Sequence, residues 1–350
     1  MFSSLYSYLR RLKARHCRIH EVNYVTLLKL TALFVMVSLF LIQKSMNSQQ
    51  QENVFTWSNN DIKKALDKNK FAESPLKPCE EDGKSVVMLI MVNSGVTNFK
   101  HRTTIRESWG SVSKTDKGIR LIFVIGKSED PAVQERVNLE KVVSNDILET
   151  DVVEAYDKLT YKSIAILEWA HTHCSQTKYL IKVDDDIFFN IRRLLAELEE
   201  KNPRNSIIGC EESRNAPVRF FLFKWHVTRE QYSADTYPVY ITGPAYLITG
   251  DIISKLYHAT SQVPYFFVED IFVTGLCREK IGAKVVGHKE FSCSYRDRGP
   301  CGVNFRDYIV GHHYYTEEMT RMWGEMNNKN AKCRFRDYYW IATILDFLPF

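Results

Sequence analysis

Hydrophobic positions in the first two thirds of the chain fall into two alternating patterns. The runs at 86–92 and 121–125 are continuous, apolar and of strand length, the mark of strands buried on both faces. A β-prone run at 178–183 is a third strand candidate. Segments 101–109, 131–143, 160–173 and 191–201 read as helices. Short buried strands alternating with helices predict an α/β fold, with a mostly parallel central sheet flanked by helices. In such sheets ligands bind beyond the carboxyl ends of the strands. After Pro203 the rhythm loosens. Tyr237-Pro238 and Gly243-Pro244 mark turns, 245–249 reads as a strand, and Asp251 is placed to cap a helix running to His258. No internal repeat is visible. The motifs of this second half need the first half to make chemical sense, so both belong to one domain.

The N-terminal segment changes the picture. Residues 25–42 are eighteen positions with one charge, Lys29, near the lower limit for crossing a bilayer. Five basic residues (Arg10, Arg11, Lys13, Arg15 and Arg18) precede it against one acid, Glu21, whereas only Lys44 follows closely. The positive-inside rule places the N-terminus in the cytosol and everything after Ile42 across the membrane. A cleaved signal peptide fits less well, because the leading region is long and no Ala-x-Ala site follows. The expected order is a cytosolic tail (1–24), a signal-anchor transmembrane helix (25–42), a polar stem (43–84) and a luminal catalytic domain (85–350).

With 350 residues, 45% of them apolar and 13% aromatic, the chain can bury one large core or two small ones. Most of the net charge of +5 lies before the anchor. The folded part therefore lacks the basic stripe that nucleic acid requires. Cys79, Cys174, Cys210, Cys277, Cys293, Cys301 and Cys333 would face an oxidising lumen, where structural disulfides are expected. Their number is odd, which leaves one thiol free or available for a covalent homodimer. Their spacings match no zinc motif, and no Asn-x-Ser/Thr sequon is present.

The candidate chemistry centres on Lys182-Val183-Asp184-Asp185-Asp186-Ile187-Phe188-Phe189-Asn190. Three adjacent carboxylates repel one another, and a hard divalent cation carrying phosphates is the usual relief. A solvated acidic turn is the alternative, disfavoured by the apolar flanks. Arg102 and Arg106, one helical turn apart, become diphosphate ligands if a metal stands nearby, and otherwise form a solvated basic face. Tyr237 to Tyr246 is a Gly/aromatic segment suited to a sugar ring or, equally, to a turn beside a core strand. Trp225, Tyr240 and Tyr246 are candidates for an acceptor platform or for core packing. Glu269-Asp270, set between apolar residues, read either as helix-capping acids or as a general base in a partly dry pocket. His312 and His313 precede Glu318-Met319, and neutral imidazole suits Mn²⁺.

In order and spacing these motifs resemble the beta-1,3-galactosyltransferase family, glycosyltransferase family 31. The resemblance spans 85–323. It rests on Arg-x-x-Ile-Arg-x-Ser-Trp from Arg102, Phe-Val-Ile-Gly from Phe123, and Asp146-Ile-Leu through Asp151 to Leu159-Thr160-x-Lys162. The Asp triplet, Tyr-Pro-x-Tyr-x-x-Gly from Tyr237, and Glu-Asp-Ile-Phe-Val-Thr-Gly-Leu-Cys from Glu269 follow in order. It implies a GT-A type nucleotide-sugar-binding fold, a UDP-sugar donor with Mn²⁺, and inverting transfer to an acceptor glycan on lipid or protein. It also implies a single-pass type II protein of the Golgi membrane. Carried over residue by residue, Asp186 and His312 would hold the metal. Arg102, Arg106, Asp184, Asp185 and Gly243 would bind the nucleotide-sugar, and Asp270 would be the base.

The chain departs from the family pattern at Ile241, where many members have Cys, and at Pro244, where a small residue is usual. Val152, Glu154 and Lys158 replace the commoner Phe, Asp and Asn near the donor side. Donor choices are galactose, the first expectation, and N-acetylglucosamine or N-acetylgalactosamine. A nucleotide-sugar hydrolase and an inactive anchored relative are the readings from other classes. An inactive relative would be expected to lose the Asp triplet or the Glu-Asp pair, and this chain keeps both.

Overall fold

The computed structural model describes residues 76–333, apart from Leu222 and Lys224. The expected cytosolic tail and anchor, and most of the stem, lie outside the described residues. Among the described residues no helix is long and apolar enough to cross a membrane.

The centre is a seven-stranded sheet. Its members are β1 (Met88–Asn93), β2 (Ile119–Lys127), β3 (Ile147–Val153), β4 (Tyr179–Asp184), β6 (Ser206–Glu212), β7 (Tyr240–Thr249) and β8 (Lys284–Gly287). They run in the order β3-β2-β1-β4-β7-β6-β8. Strands β1 to β4 are mutually parallel, as are β6 and β8, while β7 runs antiparallel between β4 and β6. A second, two-stranded sheet pairs β5 (Phe188–Phe189) with β9 (Val310–Gly311).

Six main helices cover the sheet: α1 (Phe99–Glu107), α2 (Pro131–Ser144), α3 (Leu159–His173), α4 (Ile191–Lys201), α5 (Ile253–Thr260) and α6 (Thr316–Asn327). Alternation along β1 separates two cores. Met88, Ile90 and Val92 face a cluster with Ile105 of α1, Leu194 of α4 and Met319 of α6. Leu89 and Met91 face one with Leu167 of α3 and Leu256 of α5. Burial on both faces explains why these strands have unbroken apolar sequences.

The expected α/β sheet with flanking helices is present; the continuous runs at 86–92 and 121–125 became β1 and β2, and the β-prone run at 178–183 became β4. Three strands carried no clear signal. Edge strand β3 reads ILETDVV, β6 holds Gly209 and two glutamates, and β8 has only four residues, most of them exposed. Strand β7 begins five residues before the expected 245. Pro244 lies where its pairing with β6 shifts register, between Gly209 and Glu211, so it sits in an irregularity rather than a regular ladder. Asp251 does not cap the next helix; its carboxylate accepts from the backbone N–H of Asn205 at 3.0 Å.

Three disulfides, Cys79–Cys174, Cys210–Cys293 and Cys301–Cys333, staple the described region. The unpaired thiol among them, Cys277, is fully buried. A covalent homodimer through that odd cysteine is therefore corrected: its sulfur faces the core.

Candidate active site

Strands β1 and β4 end side by side, with Asn93 opposite Asp184. The Asp triplet leaves the sheet there, and each carboxylate meets a different partner. Lys182 shares a strand face with Asp184, since residues two apart point the same way. Its buried Nζ donates to Asp184 Oδ1 at 2.6 Å and to the Gly243 carbonyl at 2.7 Å, and lies 3.8 Å from Glu269 Oε2. Burial opposes the Lys182 charge, but Asp184 and Glu269 outweigh it and hold the ammonium more firmly protonated than a free lysine. Asp184 is pushed up to about 6 by burial, helped by Asp186 and resisted by Lys182.

Asp185 Oδ2 accepts from Ser94 Oγ at 2.6 Å, Asn98 Nδ2 at 3.0 Å and the Gly95 N–H at 3.3 Å. It thus fixes the turn between β1 and α1.

Asp186 points to the other motif. The β5–β9 pair sets Phe188 opposite Gly311, so the chain leaves β9 directly into His312 and His313. The Tyr314 N–H donates to the Asp186 carbonyl at 2.8 Å, and His313 Nδ1 lies 3.1 Å from Asp186 Oδ2. His313 reaches there with φ of +65°, a left-handed conformation unusual for a non-glycine residue. Burial works against the Asp186 charge, yet His313, then His312 and His101, hold its carboxyl below the usual range. His312 is pushed down to about 4, by burial first and then by His313.

An ionised carboxylate and a neutral imidazole are an oxygen and nitrogen donor set suited to Mn²⁺. The His312 Nδ1 is buried without a hydrogen-bond partner, which a bound ion nearby would explain. The residues therefore fit a divalent cation. Among the described residues no group of three or more His, Cys, Asp or Glu could hold a metal by itself. Remaining ligands would come from a diphosphate and water.

Glu269 and Asp270 stand across from the triplet, at the entrance to the π-helical segment Ile271–Cys277. Glu269 is buried and accepts from Ser163 Oγ and the Tyr246 hydroxyl, both at 2.6 Å. Tyr246 is therefore no acceptor platform: its ring is buried, and its hydroxyl holds Glu269. Asp270 accepts from the Ile271 N–H at 2.9 Å and the Gly243 N–H at 3.0 Å. Its carboxyl is pushed up to about 7 by burial and then by the Glu269 charge. Gly243 thus spends its N–H on Asp270 and its carbonyl on Lys182, so it positions these two side chains instead of offering those groups to a ligand.

Asp184, Lys182, Glu269, Asp270 and His313 line one cleft of about 530 Å³, walled by Tyr156, Trp225, Tyr237 and Tyr240. Trp225 Nε1 donates to the Tyr156 hydroxyl at 2.8 Å. Of the expected platform residues, Trp225 and Tyr240 face the cleft.

Arg102 and Arg106 are elsewhere. The fully buried Arg102 guanidinium forks onto Glu140 at 2.7–3.1 Å and donates to Ser94 Oγ and to the carbonyls of Gly95 and Val96. Arg106 binds Asp146 through two bonds of 2.8 Å and Glu140 through a third. Burial would raise Glu140, but the two arginines hold its carboxyl below the usual range. The expectation that these arginines bind nucleotide is corrected: Arg102 is fully buried and holds the turn that Asp185 also holds, and Arg106 is bound internally to Asp146 and Glu140. Glu154, one of the unusual residues, is likewise internal, accepting from Lys162 Nζ at 3.0 Å and the Gly126 N–H at 2.8 Å.

The galactosyltransferase family model matches residues 100–289. Beta-1,3-galactosyltransferase 1 of Mus musculus is 30% identical over 246 residues, covering 69% of this chain and 74% of that protein. Beta-1,3-galactosyltransferase 5 of Pan troglodytes is 31% identical over 268 residues, covering 76% and 84%. A Rattus norvegicus UDP-GlcNAc:betaGal beta-1,3-N-acetylglucosaminyltransferase 7 is 29% identical, covering 72% of this chain and 66% of that protein. The chain is a glycosyltransferase. It belongs to the beta-1,3-galactosyltransferase family, glycosyltransferase family 31.

Proposed function

We propose that this protein performs inverting, metal-dependent transfer of a hexose, galactose first, from a UDP-sugar to the 3-hydroxyl of an acceptor glycan. The product is a beta-1,3 linkage on a glycolipid or glycoprotein. In this reading the fold is of GT-A type, and the domain works in the Golgi lumen behind the anchor at 25–42. The observation that carries the proposal is Asp270, a carboxyl on the wall of an aromatic cleft that Asp184 of the Asp triplet also lines, pushed up to about 7. A base with that proton affinity is poised for neutral pH.

Asp270 takes the proton from the acceptor 3-hydroxyl as that oxygen attacks the anomeric carbon. The bond from this carbon to the diphosphate oxygen breaks, and UDP leaves from the opposite face. One displacement turns an α donor into a β product, and no enzyme nucleophile is needed. Asp186 and His312 would hold Mn²⁺, which when bound neutralises charge gathering on the leaving diphosphate. The Gly243 and Ile271 N–H groups orient Asp270, Glu269 raises its proton affinity, and Lys182 offsets the charge of Asp184 and Glu269 beside it.

The test is Asp270→Asn. Expected is retained UDP-sugar affinity with transfer lost by about 10²–10⁴-fold, the usual range for a general base. Turnover near the wild-type rate would remove Asp270 from this role.

A further inference from the structure

One rim of the cleft carries a feature that the transfer chemistry leaves unused. Between β6 and β7 the connecting chain carries a loop, the finger, whose described residues are 218–221, 223 and 225–227. Val218 and His226 form a bridge, and the Val227 N–H donates to the Val218 carbonyl at 2.9 Å. The Phe223 N–H donates to the Phe220 carbonyl at 3.2 Å, and the His226 N–H to that of Phe223 at 2.9 Å. Arg219 staples the base, donating to the carbonyls of Val227, Thr228, Tyr232 and Ala234 at 2.8–3.0 Å. On the tip stand Phe220, Phe221 and Phe223, which are 52%, 71% and 47% exposed. Their rings cluster, with centroids 5.4 Å apart for Phe220–Phe221 and 5.8 Å for Phe220–Phe223.

The finger is continuous with the site. Ala216 and Val218 on its outgoing leg and Trp225 on its return line the same cleft as Asp270. Phenyl rings have no hydrogen-bonding groups to offer sugar hydroxyls, whereas hydrocarbon laid on them releases water from both surfaces. An exposed apolar cluster on a stapled support marks a contact site. An acceptor with its reacting sugar at Asp270 and its aglycone leaving past Trp225 would meet this tip.

We infer that the Phe220, Phe221 and Phe223 cluster on this finger binds the hydrocarbon chain of a lipid-linked acceptor, so that the site selects glycans carried on lipid. The inference rests on the transferase reading and narrows its acceptor class.

The test uses the full-length protein in membranes, with dodecyl and methyl glycosides of β-galactose, β-glucose and β-mannose as acceptors. The wild type is compared with Phe220→Ser/Phe221→Ser/Phe223→Ser, whose substitutions lie on exposed positions. Partition of the dodecyl chain into the membrane is common to both proteins and cancels. Expected is a fall of about tenfold or more in the ratio of dodecyl to methyl kcat/KM, the scale of losing one or two buried rings, with methyl turnover unchanged. An unchanged ratio overturns the inference.

A second readout is independent of turnover. A dodecyl glycoside with a diazirine at the chain end is photolysed on each protein, and labelled peptides are mapped by mass spectrometry. Label on the peptide spanning 218–227, competed by unlabelled dodecyl glycoside and not by methyl glycoside, supports the inference. No label there overturns it. Equal labelling by a sugar-free diazirine phospholipid, uncompeted by the glycoside, also overturns it and assigns the finger to the bilayer. If no donor supports transfer while the labelling succeeds, the transferase reading fails and the lipid contact stands.

Discussion

At the residue scale the site depends on how one carboxyl is kept in two protonation states near neutrality. Asp270 would stay ionised down to the usual carboxylate range in water, but burial and Glu269 raise it to about 7. Two outcomes follow. As a base it must be ionised, so kcat/KM is expected to fall with decreasing pH through about 7 and to level off above it. A pH profile flat from 5.5 to 8 would contradict this. The linkage to stability has the opposite sense. The folded protein binds a proton more tightly at Asp270 than the unfolded chain does, so the favourable contribution is full below the unfolded value near 3.8. It is lost as pH rises through the folded value. Asp270→Asn is therefore expected to have a higher Tm than the wild type at pH 8 and little difference at pH 4; a lower Tm at pH 8 would oppose this. The neighbouring acid Glu269 was legible as one of a pair, but its role was not, because Ser163 and Tyr246 are distant in sequence. Lys182 could have been found, since alternation on a strand places it beside Asp184.

At the element scale the short β5–β9 pair decides where the histidines lie. Phe188 stands two residues after Asp186 and Gly311 directly precedes His312, so pairing these two positions brings the motifs together. A Cβ on Gly311 would stand 2.7 Å from Phe305 Cζ and 2.8 Å from the Tyr314 hydroxyl. Gly311→Val is thus expected to lose about 1–3 kcal/mol of stability by overpacking and to weaken Mn²⁺-dependent UDP binding. Gly324, in the exposed face of α6, has nothing within 4 Å of such a Cβ. Gly324→Ala is expected to gain about 0.5–1 kcal/mol from lower chain entropy alone, with binding unchanged. Denaturant melts and titration calorimetry check the pair; unaltered Mn²⁺-dependent binding in Gly311→Val would separate β9 from the proposed metal site. Elements were legible where burial on both faces left a mostly apolar run, as in β1 and β2, and in β4 despite Lys182 and Asp184. They were illegible where an edge or a bulge admitted Glu, Thr or Gly, as in β3 and β6. The helix α1 was legible too, but the purpose of its arginines was not. A spacing of four serves a ligand or an internal network equally, and the partner Glu140 lies 38 residues from Arg102.

At the scale of the whole molecule, a sheet with helices on both faces ends in a cleft whose walls come from widely separated segments. The disulfides join distant pieces of this frame. Cys79–Cys174 ties the segment before β1 to the end of α3, closing a separation of 95 residues, a constraint worth about 3–5 kcal/mol in chain-entropy terms. Cys277 is fully buried, and burial pushes its thiol up to about 12. Iodoacetamide is therefore expected to leave it unmodified until the protein is denatured, and non-reducing electrophoresis to show no dimer linked through it. Alkylation of Cys277 in the native protein would contradict the buried placement. The family was legible because six motifs recur in order, whereas donor and acceptor choice depend on side chains with no such order. The central claim, metal-dependent sugar transfer, is tested most directly by offering the full-length protein each UDP-sugar with Mn²⁺ and a mixture of β-linked galactosyl, glucosyl and mannosyl acceptors. UDP release and product linkage are recorded together. Expected is acceptor-dependent release with one preferred donor, abolished by chelation, giving a β-1,3-linked product. Release that is independent of acceptor, or undiminished by chelation, would contradict it.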